Sequence, residues 1–373
     1  MTDLFFYGTL CHLPLLETVL ARPVDVEPAT LPGHRVQWSA EGAWPVLVPD
    51  PGAAAQGMLL RGATAEDLDR LDYYEGGFGY ETALLRLAAP EAEALVYLPP
   101  AGAPVAGPWS LADWQRDWAE VAVATAADVM ALRGQRAAAD VVRRYRLMLV
   151  RGASRVRAAA TPPTTRRHRA TPDDVVVERF AQPYANFFAI EEYDLRFRRF
   201  DGSLSDRINR AVFVSGDAVT VLPYDPARDR VLVIEQFRAG PYGRGDPQPW
   251  LIEAIAGRID PGETPEEAAR REAEEEAGLH LGALEKVAQY YASPGAKSEY
   301  LYSYVALCDL PDGVEGVFGV AGEAEDIRGH LISFDAFMGL VASGEVDNAP
   351  LLVTALWLQR ERARLRAGQA PGP

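Results

Sequence analysis

Three glutamates, Glu272, Glu275 and Glu276, crowd the end of the stretch GRIDPGETPEEAARREAEEEAGL, which runs from residue 257 to 279. On a helix their side chains share one face, and Glu272 and Glu276 are spaced i,i+4, where like charges repel by roughly 0.2–0.5 kcal/mol. Carboxylates gathered beside a core are unfavourable unless a cation joins them. Mg²⁺ and similar hard cations choose carboxylate oxygens and keep positions open for substrate phosphate. The pattern indicates a metal site, and a solvated acidic helix face is the alternative.

The helix that must position these glutamates is marked at both ends. Thr264 can cap its start, Pro265 suits the first helical position, and Glu267 completes a capping box. Gly278 suits the C-terminal stop. Upstream, AVTVLPYD and RVLVIEQF are two apolar runs joined by the turn-like DPARD, which predicts a β-hairpin.

The spacing of the acidic stretch resembles the Nudix box at every defined position. Nudix hydrolases form a mixed α/β sandwich and hydrolyse a nucleoside diphosphate linked to another group, usually with Mg²⁺. The resemblance implies that Glu272 and Glu276 ligate metal and that Glu275 is a further ligand or a base. The residues that carry the match are Gly257, Glu263, Arg271, Glu272, Ala273, Glu275, Glu276, Gly278 and Leu279. Of these, Glu263 and Arg271 are expected to brace the loop and helix.

The segments that flank the box indicate one particular branch of the Nudix family. The segments EQFR, PWLIEAIAGRID, SPGAKSE, GEAEDIRGH and GEVDNAPLLVTALWL are similar to the ADP-ribose pyrophosphatase branch, over roughly residues 175 to 364. The resemblance implies that the Ala256 carbonyl joins the metal shell, that Glu323 on a mobile loop is the general base, and that Glu325 ligates metal or replaces that base. It also implies substrate contacts: Arg210 and Arg238 at the diphosphate, Glu253 and Glu299 as acidic site residues, and Phe187 stacked on adenine.

The implied reaction is Mg²⁺-dependent hydrolysis of ADP-ribose to AMP and ribose 5-phosphate, with Mn²⁺ as the alternative metal. Other ADP-sugars, GDP-mannose and flavin or nicotinamide dinucleotides are alternative substrates. A metal–nucleotide sensor without turnover is the non-enzymatic alternative, although an intact glutamate set argues against it. An N-terminal strand often crosses to a second subunit in this branch, so a homodimer through the Nudix domain is expected.

Two motifs near the N-terminus form a second candidate site. FFYGTL ends a strand with backbone N–H groups and a hydroxyl that could hold a small anion. LDYYEGGFGY places a carboxylate among aromatic side chains at a turn, where its pKa could rise. In this order they resemble the gamma-glutamylcyclotransferase-like (AIG2-like) fold, a small mixed β-barrel with helices, over about residues 1–130. The resemblance implies an anion loop of Tyr7, Gly8, Thr9 and Leu10, and Glu75 as acid/base. The family often has Arg two residues after the tyrosine, but here Glu81 and Thr82 follow Tyr80, so a ligand-binding or dimer-stabilising domain is the alternative to an active cyclotransferase.

Length and composition bound the whole chain. Its 373 residues, 48% hydrophobic, predict two or three domains with sizeable cores. The two resemblances imply a mixed α/β chain of two domains, a cyclotransferase-like domain with a helical extension at 1–150 and a Nudix α/β/α sandwich at 175–373, and the Arg/Pro/Thr-rich composition of residues 151–174 indicates a linker between them. A net charge of −16 disfavours a nucleic-acid partner. The start of the sequence does not resemble a basic signal peptide, and no apolar run is long enough to predict a membrane-spanning helix. The presence of two cysteines suits the reducing cytoplasm. Chains that join these two domains are similar to tellurite-resistance-associated proteins, although no residue here suggests chemistry on tellurite.

Overall fold

The computed structural model describes residues 2–159, 165–319 and 326–368. The chain divides into two compact units, Met1–Ala170 and Thr171–Pro373, and the mixed α/β class with several sheets is confirmed. Part of the expected linker differs from the prediction, because residues 151–159 continue a helix. Arg151 and Ala153 are buried there, and a Cβ on Gly152 would lie 2.3 Å from Thr125 Oγ1, so this helix packs closely on its neighbour. Within the described ranges, no helix is long and apolar enough to cross a membrane.

The first unit is built on a six-stranded sheet in the order β4-β5-β1-β3-β2-β6, in which β1 and β5 are parallel. A single bridge between Thr30 and Ala89 shows that the sheet curls toward closure. Its ladders nevertheless leave β4 and β6 at the edges, so the sheet is open where a small barrel was expected. The strands are β1 (Thr2–Phe6), β2 (Val26–Ser39), β3 (Pro45–Ala63), β4 (Glu81–Ala88), β5 (Glu91–Leu98) and β6 (Val105–Pro108).

Helices close one side of this sheet. The long third helix packs against the first and the fifth, and Trp114 is one of the largest fully buried side chains in the core between them. The second helix begins at a capping box of Thr64 and Asp67 and continues to Gly76. The Asp-Tyr-Tyr-Glu-Gly segment is therefore the last turn of a helix, whereas the sequence suggested a separate turn. The helices are α1 (Leu13–Leu20), α2 (Ala65–Gly76), α3 (Leu111–Ala131), α4 (Ala138–Val142) and α5 (Tyr145–Ala159).

The second unit holds an eight-stranded sheet and a separate three-stranded sheet in the order β7-β8-β9. The larger sheet runs β14-β15-β10-β11-β17-β16, with β13 paired to β10 and β12 paired to β11. The predicted hairpin is confirmed, since Asp225 pairs with Arg230 at its turn. The strands are β7 (Val175–Ala185), β8 (Ala189–Phe197), β9 (Ile208–Val214), β10 (Ala218–Asp225), β11 (Arg230–Phe237), β12 (Trp250–Glu253), β13 (Ile255–Arg258), β14 (Leu284–Tyr291), β15 (Tyr300–Leu307), β16 (Val317–Phe318) and β17 (Ile327–Ser333).

Strand alternation gives the larger sheet an apolar layer on each face. On β11, Leu232 and Ile234 join the core that contains the buried alanines of α7, whereas Val231 and Val233 join the core beneath α8 and α9. The result is the expected α/β/α sandwich. The helices of this unit are α6 (Ala239–Arg244), α7 (Pro265–Ala277), α8 (Phe334–Ser343) and α9 (Ala349–Arg366).

Candidate active site

The helix α7 forms as the sequence indicates. Thr264 Oγ1 accepts from the backbone N–H of Glu267, the Glu267 carboxylate accepts from the backbone N–H of Thr264, and Gly278 ends the helix with φ at 61°. Ala268, Ala269, Ala273 and Ala277 face the core and let the helix lie close to the sheet. The caps and the close packing of this short helix therefore hold its glutamates in a defined position next to strand β13.

Glu272 and Glu276 both lie against β13. The buried Glu276 accepts a hydrogen bond of 3.1 Å from the backbone N–H of Ala256 through Oε2. A Cβ added to Gly257 would lie 1.8 Å from Oε1 of Glu272, so the absence of a side chain at 257 makes room for that carboxylate. The structure thus brings together Glu272, Glu276 and the backbone of Ala256, which are three of the predicted metal-binding positions.

Arg271 braces this arrangement. Its guanidinium donates to Glu263 Oε1 at 2.8 Å, to Glu272 Oε1 at 2.7 Å and to the backbone carbonyl of Arg258 at 2.9 Å. Hydrogen bonds from Arg271 hold the pKa of Glu263 below its usual range, and Glu263 also accepts from the backbone N–H of Asp260. The expected brace between loop and helix is present, and it fixes the carboxylate of Glu272 as well.

Glu275 does not join the other two glutamates. Its carboxylate is 40% exposed and receives a hydrogen bond of 3.1 Å from Arg271 Nη1. Across residues 2–159, 165–319 and 326–368, no three His, Cys, Asp or Glu side chains form a group that could hold a metal ion. Two carboxylates beside a backbone segment nonetheless supply hard oxygen donors, the kind that Mg²⁺ and Mn²⁺ prefer. Glu323 and Glu325, the predicted base and additional ligand, lie outside the described residues.

The predicted diphosphate contacts lie at two places. Arg238 Nε donates to Glu253 Oε2 at 2.7 Å, so two predicted site residues form one ion pair between the residue that follows β11 and the last residue of the antiparallel β12. Burial raises the pKa of Glu253, and the charge of Arg238 opposes that effect. Arg210 is exposed on β9 and donates to the backbone carbonyl of Asn209. The structure joins Arg238 to Glu253 and leaves Arg210 on the smaller sheet.

The remaining two predicted contacts are Glu299 and Phe187. Glu299 accepts from Ser215 Oγ at 3.2 Å and lies 3.8 Å from Lys297 Nζ. Phe187, between β7 and β8, is 59% exposed, and the guanidinium carbon of Arg258 lies 3.8 Å from its ring centroid. Sequence reasoning missed Arg258. Its signal is a long cationic side chain directly after Gly257 in the box.

The N-terminal site places two of its predicted anion-loop residues, Tyr7 and Leu10, in the core. Leu10 is buried among apolar side chains, so its backbone alone could meet a ligand. Gly8 lies so close to Pro45 that a Cβ there would be 2.2 Å from Pro45 Cγ. Tyr7 donates its hydroxyl to the backbone carbonyl of Tyr97 at 2.8 Å, and Thr9 begins a single helical turn.

Glu75 is surrounded by tyrosines. Burial raises the pKa of its carboxyl to about 7, as the motif suggested. Burial also raises the pKa of Tyr7, Tyr80 and Tyr145, and the nearby charge of Glu75 adds to each of these increases. A carboxyl with this pKa can both accept and release a proton near neutral pH.

The comparisons with known proteins bear on both units. Residues 214–352 match the NUDIX domain model, and residues 4–116 match the model described as gamma-glutamyl cyclotransferase, AIG2-like. The ADP-ribose pyrophosphatase of Escherichia coli strain K12 is 40% identical over 183 residues, which are 49% of this chain and 87% of that protein. The chain belongs to the Nudix family.

Two further relatives are named pyrophosphatases, and each matches about half of this chain. The ADP-ribose pyrophosphatase of Haemophilus influenzae is 32% identical over 185 residues, covering 49% of this chain and 85% of that protein. A GDP-mannose pyrophosphatase of Enterobacter sp. is 31% identical over 174 residues, covering 47% of this chain and 89% of that protein. A crystal structure of an ADP compounds hydrolase has 21% identity and a TM-score of 0.41, covering 53% of this chain and 98% of that chain. The chain is therefore a Nudix pyrophosphatase, in a family that generally depends on a divalent metal.

Proposed function

We propose that the chain hydrolyses ADP-ribose to AMP and ribose 5-phosphate with Mg²⁺, with Mn²⁺ as a substitute. The observation that carries this proposal is the packing of Glu272 and Glu276 against β13 at Ala256 and Gly257. The relatives named ADP-ribose pyrophosphatase, at 40% and 32% identity, favour this substrate over GDP-mannose, whose pyrophosphatases are 30–31% identical.

In this proposal Glu272, Glu276 and the Ala256 carbonyl hold the cation. When bound, the cation neutralises diphosphate oxygens and makes a phosphorus atom more susceptible to attack. Arg271 keeps the Glu272 carboxylate against the strand, so that its position does not depend on the substrate. Anchoring of Arg238 Nε by Glu253 orients the guanidinium fork, whose geometry suits phosphate oxygens. Arg210 is the second proposed diphosphate contact, and Glu299 a further acidic contact at the substrate.

A general base must take a proton from the attacking water. We assign this role to Glu323, with Glu325 as an added ligand. Glu275 is the alternative base, because its carboxylate lies on the same helix and is 40% exposed. Separate Glu323→Gln and Glu275→Gln variants distinguish them: the change at the true base should lower kcat by about 10²–10⁴-fold, the usual contribution of such a group.

Substrate and metal are tested together on the purified full chain. With Mg²⁺, kcat/KM for ADP-ribose should exceed that for GDP-mannose, and AMP with ribose 5-phosphate should be the products. EDTA should abolish turnover, and Glu272→Gln should do the same while the protein stays folded by circular dichroism. Equal rates with ADP-ribose and GDP-mannose would refute the substrate assignment. Nucleotide binding without products would favour a sensor.

A second activity is supported by the raised pKa of Glu75 among tyrosines. Here the α-amine of a γ-glutamyl substrate attacks its own γ-amide carbonyl. Glu75 accepts a proton from that amine and returns one to the leaving nitrogen as the amide C–N bond breaks, which releases 5-oxoproline. The backbone of residues 7–10 would hold the substrate carboxylate. Release of 5-oxoproline by the full chain, lost in Glu75→Gln, tests this; no release from several γ-glutamyl donors favours a ligand-binding role.

We also propose a homodimer through the Nudix domain. The three-stranded sheet exposes a run of β-branched side chains, Val175, Val176 and Val177, at 43–50% of their surface, and Tyr184 at 54%. Exposed apolar side chains on both faces of one strand favour association. Light scattering should give twice the mass of 40.7 kDa, and a monomer would refute the proposal. The two cysteines, Cys11 and Cys308, are free thiols, which suits our placement of the enzyme in the reducing cytoplasm.

A further inference from the structure

One arginine joins the metal-binding strand to the exposed aromatic loop. Arg258 is the last residue of β13, and its guanidinium carbon lies 3.8 Å from the ring centroid of Phe187 and 5.1 Å from that of Phe188. Its Nη2 also donates to the backbone carbonyl of Phe187 at 3.2 Å. Planar guanidinium groups stack on aromatic rings and fix their orientation better than an ammonium does.

The aromatic loop is held from its other side as well. The rings of Phe188 and Phe213 have centroids 4.5 Å apart, and the backbone of Phe213 hydrogen-bonds to Ala296 and Ser298. Lys297 Nζ lies 5.6 Å from the Phe213 centroid. The loop at Phe187 is therefore clamped between β13 and β9, and Arg258 is its contact on the side of the Nudix box.

The backbone of Arg258 is fixed by the same group that fixes the glutamates. Its carbonyl accepts from Arg271 Nη2 at 2.9 Å, and Arg271 also binds Glu272. Because Gly257 and Arg258 are adjacent, a displacement of β13 would shift the carboxylate contact and the aromatic contact together. The structure couples the place where the diphosphate is proposed to bind to the place where an aromatic ring is presented.

We propose that Arg258 is a positioning residue for the nucleobase: it holds Phe187 in one orientation, so that the exposed part of the ring can stack on the purine of the substrate. This inference rests on the proposed nucleotide-sugar hydrolysis. Phe187 keeps 59% of its surface exposed in this clamp. Stacking on a ring that is already ordered avoids the loss of side-chain freedom on binding, which for one residue corresponds to about a two- to tenfold change in affinity.

The test measures binding of AMP and of ribose 5-phosphate to the full chain by calorimetry. Arg258→Met, which removes the charge and the hydrogen-bond donors, should weaken the binding of AMP by about three- to tenfold. The affinity for ribose 5-phosphate should change by less than about twofold. In the Phe187→Ala background, Arg258→Met should change AMP affinity by less than about twofold, because the arginine acts through the ring. The matched control is Arg196→Met on β8, which removes a hydrogen-bond partner of Glu178 on β7 and should leave both affinities unchanged.

Several results would overturn the inference: unchanged AMP affinity in Arg258→Met, equal weakening of both ligands, additive effects of the two substitutions, or no AMP binding by the wild-type protein. If Arg258→Met fails to fold, Arg258→Lys carries the same test, with a smaller loss of AMP affinity expected and the same selectivity; unchanged AMP affinity overturns the inference there too. AMP binding that depends on Arg258, without hydrolysis of ADP-ribose, would remove the proposed function and keep this inference. Hydrolysis of ADP-ribose together with an AMP affinity that does not depend on Arg258 would keep the proposed function and remove this inference.

Discussion

Replacement of Glu75 by Gln should stabilise the protein at high pH while removing its proposed acid/base group. Burial raises the pKa of the folded carboxyl from 4.5 to about 7. Between these values the unfolded chain loses the proton of Glu75 while the folded chain keeps it. Ionisation therefore favours the unfolded state as pH rises, and the free energy of unfolding falls across this window. Glutamine has no proton to lose, so the variant escapes this penalty.

The size of the effect follows from the two pKa values. The difference between 4.5 and about 7, at about 1.4 kcal/mol per pH unit, amounts to about 3 kcal/mol. The difference in unfolding free energy between Glu75→Gln and wild type should thus be about 3 kcal/mol more favourable at pH 8 than at pH 4. It should rise through the interval from pH 4.5 to 7 and stay level above it.

Urea unfolding followed by tryptophan fluorescence at several pH values measures this difference. Five of the seven tryptophans lie in the N-terminal unit, at positions 38, 44, 109, 114 and 118, so the signal reports chiefly on it. Glu81→Gln, at an exposed position of β4, controls for the loss of one carboxylate. Parallel stability profiles for wild type and Glu75→Gln between pH 4 and 8 would refute the reasoning.

Three further predictions concern both units. Gly257→Ala would place a methyl group 1.8 Å from Glu272 Oε1 and displace that carboxylate. The metal affinity should therefore fall at least about tenfold, while the melting temperature changes little because the side chain can move. Unchanged metal affinity would contradict this prediction. Arg271→Lys replaces a guanidinium that hydrogen-bonds both Glu263 and Glu272 by a single ammonium charge, so kcat should fall about tenfold in steady-state assays. A variant with the kcat of the wild type would refute the bracing role of Arg271. Hydrogen bonding to Arg22 lowers the pKa of Asp67 from 3.8 to about 2, so Asp67→Asn should lower the free energy of unfolding by about 2 kcal/mol at pH 7. The wild-type protein loses this stabilisation as pH falls through 2. A difference between variant and wild type in urea unfolding that persisted below pH 2 would contradict the assignment.

Local sequence signals predicted one helix and one hairpin of the Nudix unit. The caps of α7 and the hairpin at residues 225–229 appear where the pattern placed them, because a cap or a tight turn depends on residues within four positions of one another. The N-terminal unit shows the limit of the same reasoning. Asp72 to Gly76 end a helix that is capped eight residues earlier at Thr64, and the glycines that follow suggested a turn.

By itself, the sequence determined the family, the order of the two domains and the helix that carries the three glutamates. The tertiary structure decided which partners these side chains meet: Glu272 and Glu276 pack against β13, Arg271 binds both Glu272 and the more exposed Glu275, and Arg258 stacks on Phe187, 71 residues away in the chain. Spacing along a helix defines which side chains share a face, but several acids can compete for one guanidinium. The outcome depends on burial and on partners brought close by strands distant in sequence, which no local pattern contains.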